Sequence, residues 1–126
     1  MDWLDRLLGR GGSSSLKQAG TSKSVLSAIV GHEFTIGQSS NTLRPFGNIE
    51  VTEIRGRLHL NVRTHGITDL QVLKGKKLVV VRRSDLVEVG TMVLGLQGSV
   101  IFSDMDIAPN TELKSGEGMR IQEPGF

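Results

Sequence analysis

The chain has 126 residues, a formal net charge of +2, no cysteine and 37% hydrophobic residues. The absence of cysteine excludes disulfides and cysteine-ligated metal sites, and the length suits one compact domain with tails. No apolar stretch approaches the ~18 residues needed to span a bilayer, and the N-terminus lacks the apolar region of a secretory signal. We therefore expect a cytoplasmic protein, either free or peripheral at a membrane.

Residues 1–10 predict a short amphipathic helix, because Trp3, Leu4, Leu7 and Leu8 form its apolar side. A helix of about two turns is unstable alone in water, so it should fold only against another surface. Residues 11–24 are predicted to be a flexible linker. A tethered amphipathic segment can attach a domain to a membrane, a protein shell or a partner. Packing onto its own domain, or remaining unfolded, are the alternatives.

Residues 25–90 predict a small β-barrel of the OB type. The segment 22–30 is ambiguous between helix and strand, and its β-branched end favours a strand. Further on, apolar and polar residues alternate over 57–63, after a turn predicted at 54–58. The apolar run 78–81 predicts a strand buried on both faces. Several short strands with regular turn signals are typical of a barrel.

Residues 91–126 predict either additional strands or a partner-binding arm. Apolar clusters alternate there with turn residues, and seven acidic groups lie against two basic ones over 84–126. Residues 44–83 instead carry nine basic groups against three acidic ones. Such a charge dipole can orient a domain on an anionic partner, although basic side chains also keep strand edges from aggregating.

The glycine and proline pattern resembles one known family. The sequence has Gly31 and Gly37, the turn Leu43-Arg44-Pro45-x-Gly47, and then Lys74-Gly75 before a valine-rich strand. Over residues 28–90 this is similar to the soluble C-terminal domain of NfeD-like proteins, which is an OB-type barrel. The resemblance implies a non-catalytic module that works beside membrane scaffolds of the flotillin/stomatin type. The membrane-spanning helices usual before that barrel have no counterpart in this chain.

Catalytic, cofactor and metal sites are not predicted. His59 and His65 have no further ligand at suitable spacing, whereas a zinc site needs three or four convergent ligands. Asp104 and Asp106 share one strand face but lack the rest of a calcium loop. No nucleophile motif occurs, so we do not expect an enzyme.

An anion-binding surface is the remaining candidate, formed by Arg55, Arg57, Lys74, Lys76 and Lys77. Proteins that bind single-stranded nucleic acids combine such charge with exposed aromatic residues. Phe34, Phe46 and Phe102 are interpreted as core residues, which disfavours that function.

We therefore expect a non-enzymatic adaptor or scaffold module. Its N-terminal helix, through Trp3, Leu4, Leu7 and Leu8, attaches it to a membrane surface or a larger assembly, and the barrel binds a partner protein. A homo-oligomer is compatible with exposed barrel edges. The alternatives are an OB-type nucleic-acid-binding protein, or a cargo or structural subunit docked to a protein shell by its N-terminal peptide.

Overall fold

A computed structural model describes residues 20–125, and their fold is an antiparallel β-barrel that is nearly closed. The predicted all-β, OB-like class is confirmed. The helix α1 (Ser22–Ile29) precedes the strands, and a 3₁₀ helix (Leu70–Leu73) precedes β5. The strands are β1 (Glu33–Thr35), β2 (Ser40–Arg44), β3 (Gly47–Ile54), β4 (Arg57–Thr64), β5 (Lys77–Arg82), β6 (Glu88–Val93), β7 (Gly95–Gln97), β8 (Val100–Ile107) and β9 (Gly118–Gln122).

The strand order is β1-β9-β5-β6-β8-β4-β3-β2, and β7 also pairs with β8. β8 lies at the centre: it pairs with β4 on one edge and with β7 and then β6 on the other. The boundary predicted after residue 90 falls inside β6, and residues beyond it supply β7, β8 and β9. β9 in turn joins β5 to β1.

The antiparallel directions give the barrel two distinct ends. The β3–β4 and β5–β6 turns lie at one end, which we call the hairpin end. α1, the 3₁₀ helix, the β2–β3 turn and the first residues of β5 lie at the other, which we call the helical end.

The core fills the barrel and continues beneath α1. On β4, Leu58, Leu60 and Val62 are at most 2% exposed, which confirms the predicted alternation. Residues 78–81 of β5 are buried on both faces, also as predicted. Other inward side chains include Val25, Ile29, Phe34, Ile49, Val51, Met92, Ile101, Met105, Met119 and Ile121.

The preference for a strand over residues 22–30 is wrong, because this segment forms α1. Thr21 caps the helix by accepting a hydrogen bond from the Ser24 main-chain N–H at 3.1 Å. Val25 and Ile29, one helical turn apart, are fully buried. Burial of this stripe outweighs the β-preference of Ile29 and Val30. The helix also begins within the predicted linker 11–24.

Gly47 is the glycine on which the β2–β3 hairpin depends. Its φ of +152° disfavours any side chain, and a Cβ there would lie 1.9 Å from the main-chain oxygen of Arg63 on β4. The turn of Pro45 and Phe46 can therefore close onto β4 only with glycine at 47. The predicted β3–β4 turn is confirmed as well, and Gly56 there has a positive φ with open space around it.

We predict that Gly47→Ala lowers the free energy of unfolding by about 3 kcal/mol or more, because strain and overpacking add. Gly56→Ala is the matched control and should cost only about 1 kcal/mol, because the new Cβ strains the backbone there but clashes with no other atom. Urea denaturation followed by circular dichroism measures both. Equal losses in the two variants would show that the contact with Arg63 is not the constraint.

Candidate interaction surfaces

A surface rich in lysine occupies the helical end. We define the lysine surface as Lys23 of α1, Lys74 and Lys76 before β5, Lys77 of β5, and the exposed Val72 and Val93. A shallow groove of about 410 Å³ runs between α1 and the 3₁₀ helix, lined in part by Lys23, Val72 and Lys76. A second groove, of about 380 Å³, lies beside Lys77 and Val93.

Main-chain contacts place these lysines. The N–H of Gly75 donates to the oxygen of Leu94 at 2.8 Å, and the N–H of Leu94 donates to the oxygen of Lys76 at 2.9 Å. Gly75 has a φ of +86°, which the tight turn before β5 requires. Lys77 then pairs directly with Val93 on β6. The turn thus fixes three lysines next to two grooves.

Asp69 joins α1 to the 3₁₀ helix and lines the same groove as Lys23 and Lys76. Its two carboxylate oxygens accept hydrogen bonds from the side-chain hydroxyl and the main-chain N–H of Ser22, at 2.7 and 2.9 Å. These bonds lower the pKa of Asp69, with the hydroxyl contributing most. Among residues 20–125, Asp69 is the one carboxylate that lines the α1 groove, and its lowered pKa keeps it negatively charged at neutral pH.

The lysines themselves have no carboxylate within 4.0 Å among residues 20–125. Several arginines differ in this respect. Arg82 contacts Asp85 and Glu117, and Arg120 contacts Glu33 at 3.0 Å. The positive charge of the lysine surface is thus uncompensated by ion pairs in the described part of the chain.

The predicted anion-binding set divides into two groups. Lys74, Lys76 and Lys77 lie together at the helical end. Arg55 lies in the β3–β4 turn at the hairpin end, and Arg57 begins β4, which β6 and β8 separate from β5. Arg57 is also 3.7 Å from Asp106. Lys23, by contrast, joins the lysine surface from a distant part of the sequence, where no sequence signal marked it.

The outer face of β4 and β8 carries polar groups and one aromatic ring. Asp104 and Asp106 share this face as predicted, and the Nδ1 atom of His59 lies 2.6 Å from Asp104. Phe102 was expected in the core, but 42% of it is exposed. It lies opposite Gly95 of β7, where a Cβ would come within 2.6 Å of the ring. Phe34 and Phe46 are buried, as expected.

β2 forms one edge of the sheet. It pairs with β3 from Ser40 to Arg44 without a register shift. Since the antiparallel pattern alternates, Ser40, Thr42 and Arg44 face β3, whereas the main-chain groups of Asn41 and Leu43 point away from it. Those groups have no main-chain partner among residues 20–125. The side chain of Leu43 is 81% exposed.

The attachment residues Trp3, Leu4, Leu7 and Leu8 lie outside the described residues. Within residues 20–125, no three histidine, aspartate or glutamate side chains converge as a metal site would require. In the same range, no helix has the length and apolar character to cross a bilayer.

Comparison with known proteins identifies no relative: no family profile, curated protein or solved structure matches the chain. The resemblance to NfeD-like domains therefore rests on the sequence motifs alone.

His32 is a buried polar residue between α1 and β1. It is 4% exposed, its Nε2 shares a hydrogen bond of 3.0 Å with the Ser40 hydroxyl, and its ring stacks on Phe34. Burial lowers the pKa of His32, nearby Arg44 lowers it further, and Glu33 acts in the opposite direction. The imidazole is therefore held neutral, and its hydrogen bond ties the start of β1 to β2.

We predict that His32 makes the protein less stable as pH falls. The unfolded chain binds a proton near pH 6.5, whereas folded His32 does so only at lower pH, so stability decreases as pH drops below about 6.5. Melting temperatures from pH 7.5 to 5 should fall more steeply for the native chain than for His32→Gln. Parallel curves for the two proteins would contradict this, since His59 and His65 are common to both.

Proposed function

We propose that this protein is a non-enzymatic adaptor or scaffold module. Its barrel binds an extended segment of a partner protein, and its N-terminal segment attaches it to a membrane surface or a larger assembly. The observation that carries the proposal is the open edge of β2. An unpaired strand edge with an exposed apolar side chain is a template for another strand.

The edge of β2 contains neither a proline nor a bulge, two of the usual protections against strand addition. Proline and bulges blunt many natural edges, but Pro45 comes only after β2 ends, and the β2–β3 register is regular. Leu43 presents a large apolar side chain beside main-chain groups that have no main-chain partner among residues 20–125. Main-chain hydrogen bonds would supply affinity for a partner strand, and a contact with Leu43 would supply specificity.

The resemblance to NfeD-like domains suggests the partner. Those domains work beside scaffolds of the flotillin/stomatin type, so a scaffold domain of that type is our proposed ligand for β2. Trp3, Leu4, Leu7 and Leu8 would then hold the module near that scaffold. A second copy of the chain could also occupy the edge, which would give a homo-oligomer.

We predict that Leu43→Lys weakens binding to a purified flotillin/stomatin-type scaffold domain at least about 10-fold, because edge lysines oppose strand pairing. Val87→Lys is the matched control, since Val87 is also an exposed apolar residue, 48% exposed, but lies at the hairpin end. Biolayer interferometry gives both affinities. If the two variants bind alike, β2 is not the docking edge.

Nucleic-acid binding is the second candidate, favoured by the exposure of Phe102. Its ring can stack on a base, and Arg63 of β4 lies one diagonal position away on the same outer face. Aromatic stacking beside positive charge is the usual basis of single-strand recognition by OB folds. Asp104 and Asp106 on the same face oppose it, which is why we rank it second.

If this second function holds, Phe102→Ala should weaken binding to a single-stranded oligonucleotide by about 5-fold or more, in line with the loss of one stacked base. Fluorescence anisotropy at low salt measures the affinity, and a series at rising salt should show steep weakening. Leu43→Lys is the control and should leave the affinity unreduced. No binding at low salt would eliminate nucleic acid as the ligand.

A further inference from the structure

We infer that the lysine surface binds the headgroups of anionic phospholipids, so that the helical end of the barrel itself lies against a bilayer. This inference rests on the proposed function, because it takes a membrane rather than a protein assembly as the site of attachment. The barrel then contacts the membrane in addition to the N-terminal segment, and the lipids it binds are anionic phospholipids.

Charge is the first argument. Lys23, Lys74 and Lys77 project from three different segments and are exposed. None of these lysines has a carboxylate within 4.0 Å in the described residues, although Asp69 and Glu123 line grooves beside Lys23. A basic side chain near an anionic membrane surface contributes about 1 kcal/mol. Four lysines against these two carboxylates leave a net positive charge and therefore a salt-dependent attraction.

Apolar exposure is the second argument. Val72 is 69% exposed and Val93 is 52% exposed. In a 3₁₀ helix, residues three apart share a side, and Leu70 and Leu73 use that side to pack into the core. Val72 is consequently directed outwards, with no part in the core. Apolar side chains among lysines suit a bilayer interface, where ammonium groups meet phosphates and methyl groups meet acyl chains.

The place where the described chain begins is the third argument. Ser22, the first residue of α1, lines the same groove as Lys23, Val72 and Lys76. The segment that contains Trp3 is therefore joined to the barrel beside this groove. A single short membrane anchor binds only marginally, whereas an anchor combined with a basic patch gives stable attachment. Linking the two contacts raises the effective concentration of each at the membrane.

A bilayer fits this surface better than a nucleic acid does. Phe34 and Phe46 are buried in the core, and Phe102 lies on the outer face of β8. The apolar residues of the lysine surface are valines, which cannot stack on bases. Its chemistry is therefore phosphate attraction combined with shallow apolar insertion.

The test is flotation of the full chain with vesicles of phosphatidylcholine, either alone or with about a third phosphatidylserine. The native chain should float with the anionic vesicles and lose binding as salt rises. The variant Lys74→Glu/Lys77→Glu should bind at least about 10-fold more weakly. Arg55→Glu/Arg57→Glu carries the same charge change at the hairpin end, away from the lysine surface, and should stay within about 2-fold of native. Circular dichroism confirms folding of each variant.

The outcomes separate this inference from the proposed function. Equal weakening in both charge variants, or equal flotation with neutral vesicles, would overturn the lysine surface as the lipid site. A second variant carries serine at positions 3, 4, 7 and 8. If that variant loses vesicle binding while the lysine variant binds as well as the native chain, the lysine surface is not the lipid site and the N-terminal segment is the membrane attachment. If the native chain does not float with any vesicle, membrane attachment is excluded. The proposed partner site at Leu43 is tested separately, by the binding measurement with the scaffold domain. Lysine-dependent binding to an oligonucleotide without vesicle binding would assign the surface to nucleic acid instead.

Discussion

Pairing of β8 on both of its edges is the constraint on which the barrel depends. β4 uses one edge from Leu58 to Arg63, while β7 and β6 share the other. Ile101, Ser103 and Met105 therefore point inwards together and are nearly fully buried. Without β8, β4 and β6 would each have an open edge, and the apolar faces of both halves of the sheet would be exposed to water.

The same pairing decides where each surface lies. Because every neighbouring strand is antiparallel, the turn after β3 and the turn after β5 fall at one end, and α1 with the start of β5 falls at the other. The basic residues that are mixed along the middle of the sequence are thereby sorted. Arg55 and Arg57 lie at the hairpin end, where Arg57 is beside Asp106, and the lysines lie at the helical end. A net charge of only +2 conceals this separation.

Local sequence patterns predicted individual strands well, but they did not predict which strands distant in the sequence pair with each other. Alternation over β4, the apolar run of β5 and the turn at Gly56 are signals within a few residues, and each is confirmed. The central place of β8 depends on partners some forty residues away in β4, which no local pattern encodes. α1 was missed because its burial against the barrel outweighs the β-preference of its last residues. Phe102 was predicted to lie in the core. Along β8, however, Phe102 alternates with buried residues in step with Asp104 and Asp106, and this alternation could have placed it on the outer face.

The two proposed contacts of the barrel are geometrically compatible. Arg44 and Pro45, at the end of β2, line a groove with α1, and Lys23 of the same helix belongs to the lysine surface on its other side. α1 therefore lies between the site proposed for lipid and the edge proposed for a partner strand. A barrel resting on a bilayer by its lysines would present Leu43 close to that bilayer. α1 thus separates the two proposed contact sites, and its buried Val25 and Ile29 hold the helix against the core.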